Sequence, residues 1–264
     1  MAPSQYLVRL NLFPLWRRKV RVWGGEFLAV SFDRLLYLYL HRLGLMGREE
    51  KSFLEKRVRP GMHVVDIGAN LGVYTLLLSR LTGRSGTVVA FEPDPELFEA
   101  LQVNCRVNPA GNVELRNLAA GSRSGEMTLA RSLVNAGDNR MERSGSPSGF
   151  VRRTVVPVAT VDEIVAGRPV DFVKVDVQGW ESEVLRGMTR VIASNPVLQI
   201  FLEYWPYGLR KAGCEPLELL RSLDAQGFRL YRISSDAIVR ITDFSNMHEP
   251  TGKRYINLYA VRDA

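Results

Sequence analysis

The sequence predicts an α/β fold with a mostly parallel sheet packed between helices, and three observations carry that expectation. Short runs rich in β-branched residues recur at residues 63–67, 87–91 and 172–175, each too short for a free-standing helix. Segments with apolar residues at offsets of three and four follow the first two, as in Val73, Leu76, Leu77 and Leu81, and such alternation of strand with helix favours a parallel sheet. The three runs finish at or beside an acid, Asp66, Glu92 and Asp176. In doubly wound sheets ligands bind across the carboxyl ends of the strands, so the three carboxylates are expected along one edge.

Taken in order, residues 1–60 read as a basic, aromatic extension with helices, and residues 61–264 as the main domain. Residues 1–26 hold Trp16, Arg17, Arg18, Lys19 and Arg21 among apolar residues and show no clean period. An interface, a lid, a surface anchor at lipid headgroups, or packing on the domain itself all suit that composition. Residues 32–46 and 48–58 read as helices, the second ended by Pro60-Gly61. Residues 1–60 carry 12 Lys and Arg against 5 Asp and Glu, and the other 204 carry 23 against 23, so the whole net charge of +7 sits in the extension. That excess suits nucleic acid, anionic lipid or an acidic substrate, and equally a solvated basic surface.

The stretch His63–Leu81 is the organising one. It reads strand, glycine loop, helix, with Gly68 and Gly72 flanking Asn70. Glycines tolerate positive φ and let a ligand approach the backbone. Asp66 at the strand end would repel a pyrophosphate and attract a cation, and GANLG lacks the GxGxxG register of dinucleotide sites. The sulfonium and ammonium of S-adenosylmethionine fit that requirement. Glu92, 20 residues after Gly72, fits the acid that accepts hydrogen bonds from both ribose hydroxyls. The plainer alternative leaves Glu92 solvated beside a helix capped by Asp94.

Residues 112–116 read as a third strand that would bring Asn117, Leu118 and Ala119 to the adenine. Residues 125–132 and 151–158 read as further extended segments around the polar loop 133–150, which is long enough to be disordered or a cover. Thr160 with Glu163 makes a capping box. The strand ending in Asp176 follows, and then residues 197–202, delivering Glu203 and the aromatics Tyr204, Trp205 and Tyr207 as an acceptor wall or as packing. Residues 228–233 and 255–261 are the last strands.

The blocks VVDIGANLGVYT, VVAFEPDPELFEALQVN, NVELRNLAAGSRSGEMTL and DFVKVDVQGWESEVLRGM, across about residues 50–205, resemble the FkbM family of S-adenosylmethionine-dependent methyltransferases. The resemblance implies a class I methyltransferase (Rossmann-like) sandwich, its mostly parallel seven-stranded sheet completed by an antiparallel C-terminal strand, and methyl transfer to an oxygen. Two positions depart from the family pattern. Ser122 stands where an acid is frequent, and Gln178 replaces the usual glutamate.

The expected cofactor set is Asp66, Gly68, Asn70, Gly72, Glu92, Asn117, Ala119 and Asp176, with Asp176 and Glu203 as candidate bases for an acceptor hydroxyl. Asp176 equally suits the methionine end of the cofactor. The expected acceptor is a small molecule, sugar or glycan- or lipid-linked hydroxyl. RNA methylation is the alternative, although the amino-methylating Asn/Asp-Pro-Pro-Tyr turn and a Pro-Cys nucleophile are both missing, and a non-catalytic binding module is a third reading. Cys105 and Cys214 lack metal-ligand or disulfide spacing, so no metal is expected and a cytoplasmic setting is. His41 reads as a helix residue, His63 as a strand residue, and His248 as a loop residue that could fold over the site.

Overall fold

A computed structural model describes residues 18–29, 32–132, 139–142, 151–234, 237–245, 247 and 255–262. The N-terminal Trp16 and Arg17, most of the polar loop 133–150, and His248 lie outside the described residues.

The described chain begins with a hairpin that the sequence reading missed. Strands β1 (Arg18–Val22) and β2 (Gly25–Ala29) pair antiparallel around Trp23 and Gly24. Both turn residues have positive φ, the handedness that matches strand twist. The alternation is real but lasts only from Lys19 to Val22, with Val20 and Val22 buried. Helices α1 (Phe32–Arg42) and α2 (Arg48–Arg57) follow. Within the extension, Val20, Val22, Phe27 and Leu38 share a core with Leu71, Leu76 and Leu97 of the main domain. Asn104 and Asn108 bind the backbone of β2.

The main sheet is built from β3 (His63–Ile67), β4 (Thr87–Phe91) and β5 (Val113–Arg116), separated by α3 (Val73–Thr82) and α4 (Pro95–Val107). A second, four-stranded sheet interrupts it. Strands β6 (Ala119–Ala120), β7 (Gly125–Ser132), β8 (Arg140–Glu142) and β9 (Val151–Ala159) lie in the order β6-β9-β7-β8. After α5 (Val161–Val165) the main sheet resumes with β10 (Phe172–Val175), then α6 (Glu181–Arg186), α7 (Thr189–Ser194), β11 (Gln199–Tyr204), α8 (Pro206–Lys211), α9 (Pro216–Ala225), β12 (Arg229–Ile233), β13 (Ile238–Ile241) and β14 (Ile256–Val261). The strand order is β13-β12-β14-β11-β10-β3-β4-β5.

From β11 to β5 every pairing is parallel, and β14 enters antiparallel between β11 and β12. This is the expected class I sheet, with β13 as an additional edge strand. Two boundaries differ by more than a residue: the helix expected over residues 32–46 ends at Arg42, and the strand expected over 197–202 is shifted. Strand β11 runs on through Glu203 and Tyr204 because both pair with β14, opposite Asn257 and Ile256. Both faces of the sheet are covered: Val65, Ile67 and Val173 point into one core, while Val64, Val88 and Phe172 point into the other. No helix among the described residues is long and apolar enough to cross a membrane.

Candidate active site

The carboxyl ends of β3, β4, β10 and β11 open onto a cavity of about 1250 Å³. Cavities for one small ligand usually fall between roughly 300 and 1,000 Å³, so there is room for two.

At one end, β3 turns through the glycine loop. Gly68 has a φ of +83°, and a Cβ there would lie 1.9 Å from the Asp176 carbonyl oxygen, so only glycine lets the loop lie against the end of β10. Asn70, also at positive φ, donates its N–H to Glu92 Oε2 at 2.8 Å. Glu92 Oε1 accepts from the Asp94 N–H at 2.9 Å. The Glu92 carboxyl is thus fixed at both oxygens, and burial pushes it up to about 7 against those two hydrogen bonds. Each oxygen keeps a lone pair for a ligand hydroxyl. Gly68, Asn70, Glu92, Leu118 and Ala119 border the cavity here. A carboxylate able to grip a vicinal diol beside an apolar wall fits the nucleoside of S-adenosylmethionine.

Three expected cofactor residues are placed elsewhere. The Asp66 side chain is 0% exposed, accepts from Thr75 Oγ1 at 2.7 Å, and meets Lys174 Nζ at 3.2 Å. Its charge is answered inside the protein, and it is not among the lining residues. Gly72 holds the left-handed position before α3, with Leu101 packed where a Cβ would be. Asn117 donates to the Glu92 carbonyl at 2.8 Å and braces that turn rather than facing the cavity.

At the centre lies a group the sequence reading only partly anticipated. Gln178, held at a φ of +54°, donates its amide to Asp176 Oδ1 at 2.9 Å and to Glu203 Oε1 at 3.1 Å. One NH₂ group therefore ties the two carboxyls together, where a glutamate would have made a third acid. Burial, reinforced by Asp176 and Glu181, pushes the Glu203 carboxyl up to about 9. Those neighbours favour its protonated form, which suits a hydrogen-bond donor better than a base. Glu181 fastens the loop below by accepting from the N–H groups of Val177 and Gly179.

Lys174, missed from the sequence, lines the cavity with Nζ 3.9 Å from Asp176 Oδ2, 3.4 Å from the Gly68 carbonyl and 5.0 Å from the Tyr74 ring centre. Burial opposes its charge, but Asp66 and Asp176 hold the ammonium above the ordinary lysine range. Its signal was a lysine between valines in a strand otherwise apolar. Of the three aromatics expected as an acceptor wall, Trp205 borders the cavity. Tyr204 is buried with its hydroxyl on the Met247 carbonyl, and Tyr207 lies outside with Lys211 over its ring. Burial, with Asp66, pushes the Cys105 thiol up to about 12, away from the thiolate form that a nucleophile needs.

The cavity is also lined from the extension by Tyr37, His41 and Glu50, and from the main domain by Tyr74, Tyr255 and Asn257.

Comparison with known proteins gives these arrangements a context. The profile of the methyltransferase FkbM domain matches residues 66–230. The hexuronic acid methyltransferase AglP of Haloferax volcanii is 32% identical over 133 residues, 49% of this chain and 51% of that protein. Methyltransferase 1 of Beauveria bassiana is 28% identical over 144 residues, 47% of this chain and 57% of that one. The chain thus spans about half the length of these relatives. In fold it is similar to the crystal structure of a putative rRNA-methylase from Clostridium thermocellum, with a TM-score of 0.50 at 14% identity, covering 82% of this chain and 96% of that one.

Proposed function

Because this chain belongs to the FkbM methyltransferase family, whose cofactor is S-adenosylmethionine, we propose that it methylates a hydroxyl oxygen on a small-molecule, sugar or glycan- or lipid-linked acceptor. One observation carries the reading. A single cavity joins a nucleoside-fitting end at Glu92 to a carboxylate, Asp176, that is not committed to the fold: its side chain is 35% exposed, against 0% for Asp66. The hexuronic acid methyltransferase relative supports a sugar-like acceptor.

The cofactor supplies an electrophilic methyl carbon on a sulfonium. The side chains supply placement and a destination for the hydroxyl proton, and placement is the larger effect. Asp176 is the group assigned to take that proton. Gln178 keeps its Oδ1 oriented, Lys174 provides a fixed positive charge behind it, and protonated Glu203 is left as a hydrogen-bond donor toward the acceptor.

The test is transfer of a labelled methyl group from S-adenosylmethionine to pools of hydroxylated small compounds, sugars and RNA. Label is expected on oxygen in the first two. Asp176→Asn is expected to lower turnover by about 10²-fold or more while leaving cofactor affinity in place. Normal turnover in that variant would remove Asp176 as the base, and transfer to RNA alone would replace the acceptor assignment.

A further inference from the structure

The part of the cavity lined by the extension contains a feature that packing does not explain. His41, on α1, is 2% exposed, and both ring nitrogens lack a hydrogen-bond partner. Three aromatic rings surround it edge-on, with centroids at 4.5 Å for Tyr37, 5.0 Å for Trp23 and 5.9 Å for Tyr74. The ring is seated on Gly47, where a Cβ would lie 2.6 Å from His41 Nδ1 and Cε1 and 2.7 Å from Trp23. A buried polar atom without a partner is costly, and a phenylalanine would fill the same space without that cost. His41 borders the cavity, so a ligand that reaches this ring is the candidate partner for nitrogens that are themselves enclosed.

Its neighbours share this character. Tyr37, Tyr74 and Tyr255 line the same cavity. Burial, then nearby carboxylates including Asp176 and Glu50, act on their hydroxyls to hold the protons on. Burial likewise keeps the His41 imidazole neutral at ordinary pH, pushing it down to about 4. Neutral imidazole and phenol can each donate and accept, which suits alcohol groups.

Charge narrows the class. The cations lining the cavity are Arg48, Arg140, Lys174 and Arg232. Lys174 is engaged by Asp66 and Asp176. Arg48 and Arg232 are exposed, while Arg140 stands on β8 beside the cofactor end. The inner wall instead presents Asp176 and Glu50, the latter bound to Asn257 Nδ2 at 2.8 Å. An anionic ring placed there would face carboxylates with no buried, unengaged cation among the described residues to answer it.

We propose that α1 and the turn into α2 build the acceptor subsite, that it takes an uncharged polyhydroxylated ring, and that His41, Tyr37 and Tyr74 hold that ring's hydroxyls. The proposal rests on the O-methylation reading and differs from the acid acceptor named for the archaeal relative.

The experiment uses the full chain with labelled S-adenosylmethionine and two acceptor pools, neutral methyl hexopyranosides and the corresponding hexuronates. Neutral glycosides are expected to be methylated in preference. His41→Phe and Tyr37→Phe each keep an aromatic ring and remove a polar group. Each is expected to raise the glycoside KM about tenfold or more, the scale of one buried hydrogen bond, with S-adenosylhomocysteine affinity unchanged and thermal stability of His41→Phe equal or higher. Preference for the hexuronates, or an unchanged KM in both variants, would overturn the proposal. So would a matching loss of S-adenosylhomocysteine affinity, which would assign this part of the cavity to the cofactor. Methylation of hydroxyl compounds outside both pools, with neither pool touched, would overturn the subsite and leave the O-methylation reading standing. Absence of transfer to any hydroxyl, in a chain that binds S-adenosylhomocysteine, would remove both.

Discussion

Two buried charges set the residue-scale behaviour of the site. Lys174 and Asp66 are both fully enclosed and 3.2 Å apart, and breaking such a pair leaves an uncompensated charge in the interior. Lys174→Met is therefore expected to cost roughly 3–5 kcal/mol in unfolding free energy, and the double variant Lys174→Met/Asp66→Asn to recover most of it. Urea unfolding of the single and double variants checks this, and equal losses in the two would show that the pair is not coupled. Glu203 gives a pH signature. Its carboxyl titrates at about 9 in the folded chain against an ordinary 4.5, so the folded state retains a proton that the unfolded state has lost. That contribution to stability is complete below pH 4.5 and disappears as pH rises toward 9. Glu92 and Glu181, both at about 7, have finished most of their part by pH 8. Between pH 7 and 9 stability is expected to fall by about 1.4 kcal/mol per pH unit, and Glu203→Gln to flatten the slope. A flat profile in the parent chain would place the Glu203 pKa near its ordinary value.

At the scale of elements, the sequence was most informative where periodicity and end chemistry agree. The strand, glycine loop and helix around Gly68 appear where expected because Val64, Val65 and Ile67 cannot form a helix alone and Gly68 must lie against Asp176. Glu92 could be placed on the cavity edge because it stands at the end of a second strand. Asp66 was assigned correctly to the strand and too readily to the ligand. Its partner, Lys174, comes from a strand and lies 108 residues further along, and such a pairing becomes visible only when β10 lies beside β3. The β1–β2 hairpin escaped because its alternation spans one short strand. Its packing carries a prediction: removing residues 1–22 strips Val20 and Val22 from the shared core and is expected to cost roughly 3–6 kcal/mol, the value of two buried valines. Removing residues 1–17 spares both. A melting comparison of the two truncations checks it, with equal stability contradicting the packing role of β1.

Across the whole molecule, topology brings together what sequence keeps far apart. The parallel strands deliver Glu92, Asp176 and Glu203 to one edge, and the extension closes the same cavity with Tyr37 and His41. The charge excess of residues 1–60 did not foretell this, since the extension's contributions to the inner wall are aromatic and acidic. Acceptor identity was least legible in the sequence, because it depends on side chains from α1, α2, α3, β10, β11 and β14 at once. The end proposed for the cofactor draws on two adjacent strand ends, β3 and β4, which the sequence pattern placed side by side. That end is also the foundation of the functional reading, and calorimetric titration of S-adenosylhomocysteine into the parent chain and Glu92→Ala tests it most directly. Binding to the parent, a loss of about 1.5–3 kcal/mol in the variant, and no binding of NAD to either are the expected results. An unchanged affinity in Glu92→Ala, or tighter binding of NAD than of S-adenosylhomocysteine, would contradict the assignment.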